Sequence, residues 1–371
     1  MQKNIFNTKN YWRNIDKQIL SCFLVLFILG VFISFSSTSF LADERLNKSY
    51  YFFFQKHLIY AFASFLVMIF ISTLSTNVIN KSLIPIFIFF LLLLLLVPFF
   101  GTEVKGAKRW LNLYIFRFQP IEFVKPFFIL IVAQVISTTK VKSLNFSHII
   151  SFLLLSLITL LLLIQPDVGQ TILLIASWSS LIFVSGFSII FLILIFLILI
   201  VLFFLLLYMA PERFSYISSR ITSFMDPEKS GWSQSQKAIE AIKQGGFKGQ
   251  GMGEGILKES VPEAHTDYII AVISEEFGSV ISILIIMIFL FIAFRIIKKV
   301  INFSNNYYKL ALCGLTSLII FQTFIHIGVN ANLLPSTGMT LPFLSYGGSS
   351  LLSTGIIAGI ILNYTSLTEK N

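Results

Sequence analysis

The sequence predicts an all-α integral membrane protein of about ten transmembrane helices with one large extracytoplasmic loop. Three observations predict it. Of the 371 residues, 56% are hydrophobic and only 12% charged, against about 45–50% and about 25% in soluble globular chains. Stretches such as Ile84–Phe100 and Ser188–Tyr208 carry no charge, and at 1.5 Å per residue each can cross a hydrocarbon core about 30 Å thick. The sparse charged residues gather between such stretches, in segments suited to water and headgroups. A soluble enzyme, a disordered scaffold and a disulfide-stapled secreted module are excluded.

In chain order the apolar spans fall near 18–36, 57–75, 83–100, 119–137, 147–165, 170–186, 188–209, 268–295, 309–331 and 346–363. Lys3, Lys9, Arg13 and Lys17 precede the first, whose apolar run is longer than a signal-peptide core and lacks a small-residue cleavage site, so it should stay as an anchor. This number of spans places both termini in the cytoplasm and turns 37–56, 101–118, 166–169, 210–267 and 332–345 outward. Residues 1–371 then read as a single polytopic domain whose outer loop, about 210–267, is the place to look for chemistry. Lys and Arg number 27 against 17 Asp and Glu, a net +10. Because these cations are spread among short loops with no separate basic domain, membrane or substrate phosphates are the expected partners, and nucleic acid is not. Cys22 and Cys313 lie inside apolar runs, where a small polarizable side chain packs.

Six carboxylates lie within or beside spans: Glu122, Asp167, Glu263, Asp267, Glu275 and Glu276. A charge at membrane depth costs about 2.5–3.5 kcal/mol on insertion scales, which makes each a functional candidate. Asp267 is the sharpest, closing Val261-Pro-Glu-Ala-His-Thr-Asp267 just before an apolar helix. There loop water meets helix interior, and partial desolvation makes a carboxylate a better general base; the structural alternative is that Thr266 or Asp267 only caps the helix. Lys108, Arg109 and Trp110 end the basic segment Lys105-Gly-Ala-Lys-Arg-Trp110, where the two cations could clamp a diphosphate or merely anchor to headgroups. Glu122 and Lys125 lie three apart on one helical face and should neutralise each other. In the large loop, Arg220, Asp226-Pro227 and Gln234 precede a run with six glycines between 245 and 255. No strand precedes that run, so it is no dinucleotide fingerprint, and it should be a flexible or tightly turning loop. Before the last span comes Leu344-Ser-Tyr-Gly-Gly-Ser-Ser350. Phe343 stands where a nucleophile elbow needs glycine, so Ser345 is no such nucleophile, while Gly347 and Gly348 permit close helix approach or irregular backbone. The four histidines have no zinc-ligand spacing.

In this order the clusters resemble the SEDS family of bacterial cell-wall polymerases, the FtsW/RodA/SpoVE group. The marks are Lys105–Trp110, Gln119-Pro-Ile-Glu-Phe-Val-Lys125, Gln165-Pro-Asp-Val-Gly169, Arg220 with Asp226-Pro227, Pro262–Asp267, Glu275-Glu-Phe-Gly278 and Leu344–Ser350, and they cover nearly the whole chain. Pro262–Asp267 and Leu334-Pro-Ser-Thr-Gly-Met-Thr-Leu-Pro342 resemble the division branch of the family more than the elongation branch. His326 is a departure, since family members commonly have Asn there. The resemblance implies a peptidoglycan glycosyltransferase that polymerises lipid II, the undecaprenyl-diphosphate-linked disaccharide-pentapeptide, on the outer face of the bacterial cytoplasmic membrane. It implies that Asp267 is the essential carboxylate and that Trp110 belongs to the site. Glu263 and His265 are then expected to contact substrate, Lys108, Arg109 and Arg220 to stabilise the leaving diphosphate, and Glu122, Lys125, Asp226, Gln234, Ser345, Gly347 and Gly348 to support the site. A divalent cation, Mg2+ or Mn2+, would suit the same leaving group. The implied partners are a class B penicillin-binding protein transpeptidase and other divisome proteins, at the division septum. The rival readings are an elongation-type polymerase and a lipid II flippase, although a transporter usually has internal repeats and midplane charges, and no repeat is visible.

Overall fold

The structure is a computed structural model that describes residues 11–37, 51–104, 106–112, 117–138, 146–190, 193–194, 196–197, 201, 215–225, 234–261 and 263–367. After a single helical turn at Tyr11–Asn14, the helices are α1 (Lys17–Ser37), α2 (Phe52–Thr73), α3 (Thr76–Phe100), α4 (Pro120–Ser137), α5 (Phe146–Ile164), α6 (Val168–Val184), α7 (Ser215–Met225), α8 (Gln234–Gly245), α9 (Leu257–Ser260), α10 (Ile269–Val300), α11 (Asn306–Asn330) and α12 (Gly348–Thr365). Each expected span is a helix except 188–209, most of which lies outside the described residues. Seven of these helices are long and apolar enough to cross a membrane, namely α1 to α5, α10 and α11, while α6 is a shorter apolar helix.

Two features depart from the sequence reading. Residues 101–118, read as loop, hold a three-stranded antiparallel sheet, β1 (Thr102–Val104), β2 (Ala107–Asn112) and β3 (Arg117–Phe118), in the order β1-β2-β3. Among the described residues the fold is therefore all-α apart from this small sheet. Its pattern was there in Ala107–Asn112, where Ala107 and Leu111 are buried while Lys108 and Asn112 are exposed, the period-two alternation of a strand. The large loop is not structureless either, since it contains α7, α8 and α9.

Packing is inverted relative to a soluble protein. On α2 the buried positions are His57, Ala61, Ser64, Met68 and Ser72, whereas Leu58, Ile59, Phe62, Leu66 and Phe70 are exposed. Lipid tails are as apolar as leucine, so helices associate through close van der Waals contact and hydrogen bonds rather than by hiding apolar area. The chain falls into two compact units, one of residues 1–76, 223–296 and 319–371, the other of 77–222 and 297–318.

In the first unit α12 is buried along nearly its whole length and lies against α2. Gly355 and Gly359, four apart, make this approach possible: a Cβ on Gly355 would meet Ser64, and one on Gly359 would sit 2.7 Å from the Met68 carbonyl. The Ser64 hydroxyl donates to the Leu351 carbonyl, and Asn363 Nδ2 donates to the carbonyls of Leu74 (2.7 Å) and Ser72 (3.0 Å) at the end of α2. Asp16 caps α1 by accepting the N–H of Gln18 at 3.0 Å and of Ile19 at 3.2 Å, and its second oxygen takes Arg295 Nε at 3.0 Å. In the second unit α4 is the buried centre, with Val124, Phe128, Ile129, Leu130, Val132 and Ala133 fully enclosed. Phe90 of α3 stacks on Phe118, Phe123 and Phe127. Gly314 of α11 leaves room for Ile129 and Leu181.

Gly355→Val should destabilise the detergent-solubilised protein by about 1–3 kcal/mol or more, since the added carbons meet backbone that cannot move aside. Phe62→Leu on the outward face of α2 should stay within about 0.5 kcal/mol of wild type. Thermal unfolding followed by loss of monodispersity reads both.

Candidate active site

The first unit holds Asp267 in a short coil that leads into α10. The Glu263 carbonyl accepts the N–H groups of Thr266 (3.1 Å) and Asp267 (3.0 Å), and α10 begins at Ile269. Three hydrogen bonds from elsewhere in the unit grip this coil residue by residue. The Tyr346 N–H donates to the His265 carbonyl at 3.1 Å, Ser345 Oγ donates to the Thr266 carbonyl at 2.7 Å, and Asn330 Nδ2 donates to the Asp267 carbonyl at 2.9 Å. Asn330 is fully buried near the end of α11 and uses both ends of its amide, for Oδ1 also accepts the Ala271 N–H at 3.1 Å and Nδ2 reaches the His326 carbonyl at 2.8 Å. Beneath the coil, Val261, Ala264, Tyr268, Ala271 and Val272 pack with Ala238 and Ala241 of α8, Leu257 and Val329. Asp267 is 8% exposed.

Thr266 Oγ1 donates to the Glu263 carbonyl at 3.2 Å, and Asn330 Oδ1, from another helix, accepts in the first turn of α10.

The segment before α12 is laced to its surroundings. His326 Nδ1 meets the Met339 carbonyl at 2.8 Å, Gln322 Nε2 donates to the Thr340 carbonyl at 2.8 Å, Thr340 Oγ1 lies 2.6 Å from Ser350 Oγ, and Ser345 Oγ accepts the Leu341 N–H at 2.8 Å. Phe343 has φ 67° and is buried, a conformation that costs a bulky residue energy and persists only where the surroundings impose it. Here Phe23 and Phe27 hold its ring at centroid distances of 5.3 and 5.0 Å, and its carbonyl lies where a Cβ on Gly30 would be. Gly348 faces the Tyr60 ring, which a Cβ would approach to 2.8 Å. The His265 ring packs on Phe53 (5.0 Å) and Tyr346 (5.6 Å).

The second unit holds the basic cluster. On β2, Lys108 and Trp110 share one face and Arg109 takes the other, because successive strand side chains point to opposite sides. This corrects the reading of Lys108 and Arg109 as one clamp. Arg109 turns to the connection between α5 and α6, where its guanidinium donates to the carbonyls of Gln165 (3.3 Å) and Pro166 and lies 3.8 Å from Asp167. Lys108 stays exposed and is the cross-strand partner of Glu103. The ion pair expected of Glu122 and Lys125 is present at 2.9 Å, buried, and closed into a triangle by Gln170, which accepts from Lys125 Nζ at 2.8 Å and donates to Glu122 at 2.8 Å. Gln119 Nε2 links on to Asp167 at 3.3 Å, and Asp167 caps α6.

Of the nominated residues, the first unit thus brings together Asp267, Glu263, His265, Ser345, Gly347 and Gly348, with Gln234 half-buried at the start of α8. Trp110, Lys108, Arg109, Glu122, Lys125 and Arg220, which is half-buried on α7, belong to the second. Asp226 lies outside the described residues, as does Lys105. Among the described residues no group of three or more His, Cys, Asp or Glu side chains is arranged to hold a metal ion. Asn330 and Gln170 were missed because a search for intramembrane charges passes over neutral amides. An amide inside an apolar helix is the signal that would have found them, for it too must find partners away from water.

A family model described as a cell cycle protein, FTSW_RODA_SPOVE, matches residues 16–370. A relative from Caulobacter vibrioides named probable peptidoglycan glycosyltransferase FtsW is 33% identical over 352 residues, covering 95% of this chain and 89% of the relative. Among solved structures, a chain from a peptidoglycan synthase complex, described for its structural coordination of polymerization and crosslinking, matches with a TM-score of 0.73 at 23% identity over 95% of this chain and 97% of that one. The crystal structure of the rod shape determining protein RodA of Thermus thermophilus matches with a TM-score of 0.69 at 23% identity over 95% and 97%. These two likenesses concern the fold.

Asn330→Leu takes its side-chain donor from the buried Asp267 carbonyl and one of two acceptors from the Ala271 N–H, at about 1–3 kcal/mol for a buried group left unpaired, and should lower the melting temperature measurably. Lys125→Met leaves Glu122 without its counter-charge and should cost about 3–5 kcal/mol, part of which Glu122→Gln in the same chain recovers. Unfolding midpoints of the single and double variants test this, and equal midpoints for all three would remove the pair from the fold's support.

Proposed function

The chain belongs to the FtsW/RodA/SpoVE family of cell cycle proteins, and from that premise we propose that it is a peptidoglycan glycosyltransferase, polymerising lipid II for the septal wall with Asp267 as its general base. It is a multi-pass membrane protein. In our reading it sits in the bacterial cytoplasmic membrane at the division septum with both termini in the cytoplasm, and it works with a class B penicillin-binding protein transpeptidase and other divisome proteins. The partnership draws support from the fold's likeness to a chain of a complex that coordinates polymerization with crosslinking. The division role draws support from the relative named FtsW at 33% identity, against 23% for the RodA structure.

The observation that carries the mechanism is the threefold grip on the coil around Asp267 by Tyr346, Ser345 and Asn330. A general base earns its rate through fixed geometry as much as through basicity, and here the peptide that bears the carboxylate is held on consecutive residues at the mouth of a membrane helix. Asp267 takes the proton from the 4-hydroxyl of the acceptor's N-acetylglucosamine as that oxygen attacks the anomeric carbon of the donor's N-acetylmuramic acid. The C–O bond to undecaprenyl diphosphate breaks on the opposite side, with inversion, and the leaving group carries off the electron pair. Lys108 and Arg220 are the cations we assign to the developing diphosphate charge, with Trp110 and His265 contacting saccharide and Glu263 beside the base. Arg109, committed to the carbonyls of Gln165 and Pro166, holds the sheet that displays Lys108 and Trp110.

Asp267→Asn should lower glycan-strand formation from lipid II by the purified protein with its transpeptidase partner by about 10²–10⁴-fold, the usual worth of general base catalysis. Strand lengths on a gel read the outcome. An Asn variant that polymerises normally sinks the assignment, and lipid II translocation in vesicles without polymerisation by either form would favour transport.

A further inference from the structure

The glycine run 245–255 and the carboxylate pair Glu275-Glu276 were both conspicuous in the sequence, and the mechanism uses neither. The structure joins them. Helix α10 is interrupted at Gly278, with φ 83° and ψ 165°, and the glycine run fills the break. Gln250 N–H donates to the Glu275 carbonyl at 2.8 Å, Gly251 N–H to the Glu276 carbonyl at 3.0 Å, and Ser279 N–H to the Gly246 carbonyl at 2.9 Å. The fit is backbone to backbone, since a Cβ on Gly245 would meet the Ser274 carbonyl, one on Gly249 the Glu276 carbonyl, and one on Gly278 the Phe247 carbonyl. Of the two sequence alternatives for this run, a flexible or a tightly turning loop, its hydrogen bonds to the helix fit the second.

The side chain of Glu275 continues the seam. It is 1% exposed. Its Oε1 accepts the N–H of Ile256 at 2.8 Å, and the N–H of Leu257 lies 3.2 Å from Oε1 and 3.1 Å from Oε2, so the carboxylate seats the first turn of α9. The space is closed by Gly255, where a Cβ would come within 2.6 Å of Oε2. From Leu257 the chain runs through Val261 to the coil of Asp267, enters α10, and returns in about two turns to Glu275 itself. Residues 257–275 are thus a ring closed by the Glu275 carboxylate, with Val261, Ala264, Tyr268, Ala271 and Val272 buried along it.

We propose that Glu275 is a positioning residue for Asp267, acting through hydrogen bonds to the Ile256 and Leu257 amides that close the ring on which Asp267 is carried. Tyr346, Ser345 and Asn330 grip the coil from outside, and Glu275 fixes the end from which the coil is fed. The proposal rests on the reading of Asp267 as the base. What Glu275 supplies is acceptor geometry, and because Oε1 alone reaches both amides, a glutamine keeps most of it.

The test uses the full chain with its transpeptidase partner, lipid II as substrate, and amide hydrogen exchange at Ile256 and Leu257. Glu275→Ala should lower kcat on the order of 10²-fold, the scale of an ångström of misplacement, with KM nearly unchanged and with both amides losing protection. Glu275→Gln should keep protection and most of kcat. Gly255→Ala, which pushes on the carboxylate without removing it, should fall in kcat with the alanine variant and decides the matter if Glu275→Ala does not fold. Wild-type kcat in a variant whose two amides have lost protection overturns the proposal. So does a Glu275→Gln that keeps protection and yet is as inactive as the alanine variant. An Asp267→Asn that polymerises normally removes both the base and the proposal, whereas an inactive Asp267→Asn beside a fully active Glu275→Ala removes the proposal alone.

Discussion

Water is missing from the interior of a bilayer, and nearly everything notable in this structure answers that constraint. A backbone or side-chain polar group that leaves water must be met by another group of the protein, at a cost of several kcal/mol if it is not. The buried triangle of Glu122, Lys125 and Gln170, the amide of Asn330, Asp16 against Arg295 and Glu275 against α9 are cases of this one rule. Each is a polar residue that would be expensive alone and becomes a fastener because it is not alone. Helices held in this way stay put without the hydrophobic effect that packs a soluble core, and a carboxylate such as Asp267 can then be presented at a fixed place.

The rule also explains what was legible in the sequence. The spans were, because length and apolarity are read directly off a chain whose solvent is lipid, and the boundaries of α1, α4 and α5 agree with expectation to within a residue or two. The pairing of Glu122 with Lys125 was legible because both partners lie on one helix, three residues apart. The partners of Asp267 were not. Asn330, Ser345 and Tyr346 lie far from it in the chain, and no local pattern announces which neutral side chain will meet which carbonyl. The sheet at 102–118 was hidden for another reason. Its strands are short and rich in charge, and the basic residues of β2 invited a reading by charge where the alternation of burial was the better guide. Even the family resemblance, which covers nearly the whole chain, nominated Lys108 and Arg109 together, and only strand geometry separates them.

Several of the supports are backbone arrangements that only particular residues tolerate. Phe343 holds a positive φ under two phenylalanine rings and above Gly30, and Ser345 and Tyr346, which follow it, grip the coil of Asp267. Gly278 breaks α10, and the glycine run lies in the break. Irregular backbone inside a membrane is tolerable where protein covers it, and here the cover on both sides leads to the same carboxylate. Residues on α1 and in the glycine run thereby acquire a bearing on Asp267 that their distance along the chain conceals.

The inverted face of α2 bears on how such a chain can age. Its outward positions ask only to be greasy, so Leu, Ile, Val and Phe are near-synonyms there, and mutational drift can write them in whatever dialect the genome's base composition favours. Outward phenylalanines such as Phe62 and Phe70 are, on this view, accent, unlike the buried rings of Phe23, Phe27 and Phe343. The inward positions of α2, His57, Ala61, Ser64, Met68 and Ser72, lie against closely packed neighbours and admit fewer such substitutions. Against the relative from Caulobacter vibrioides the chain keeps a third of its letters and still aligns over 95% of its length, a latitude that an outward face open to any apolar residue helps to provide.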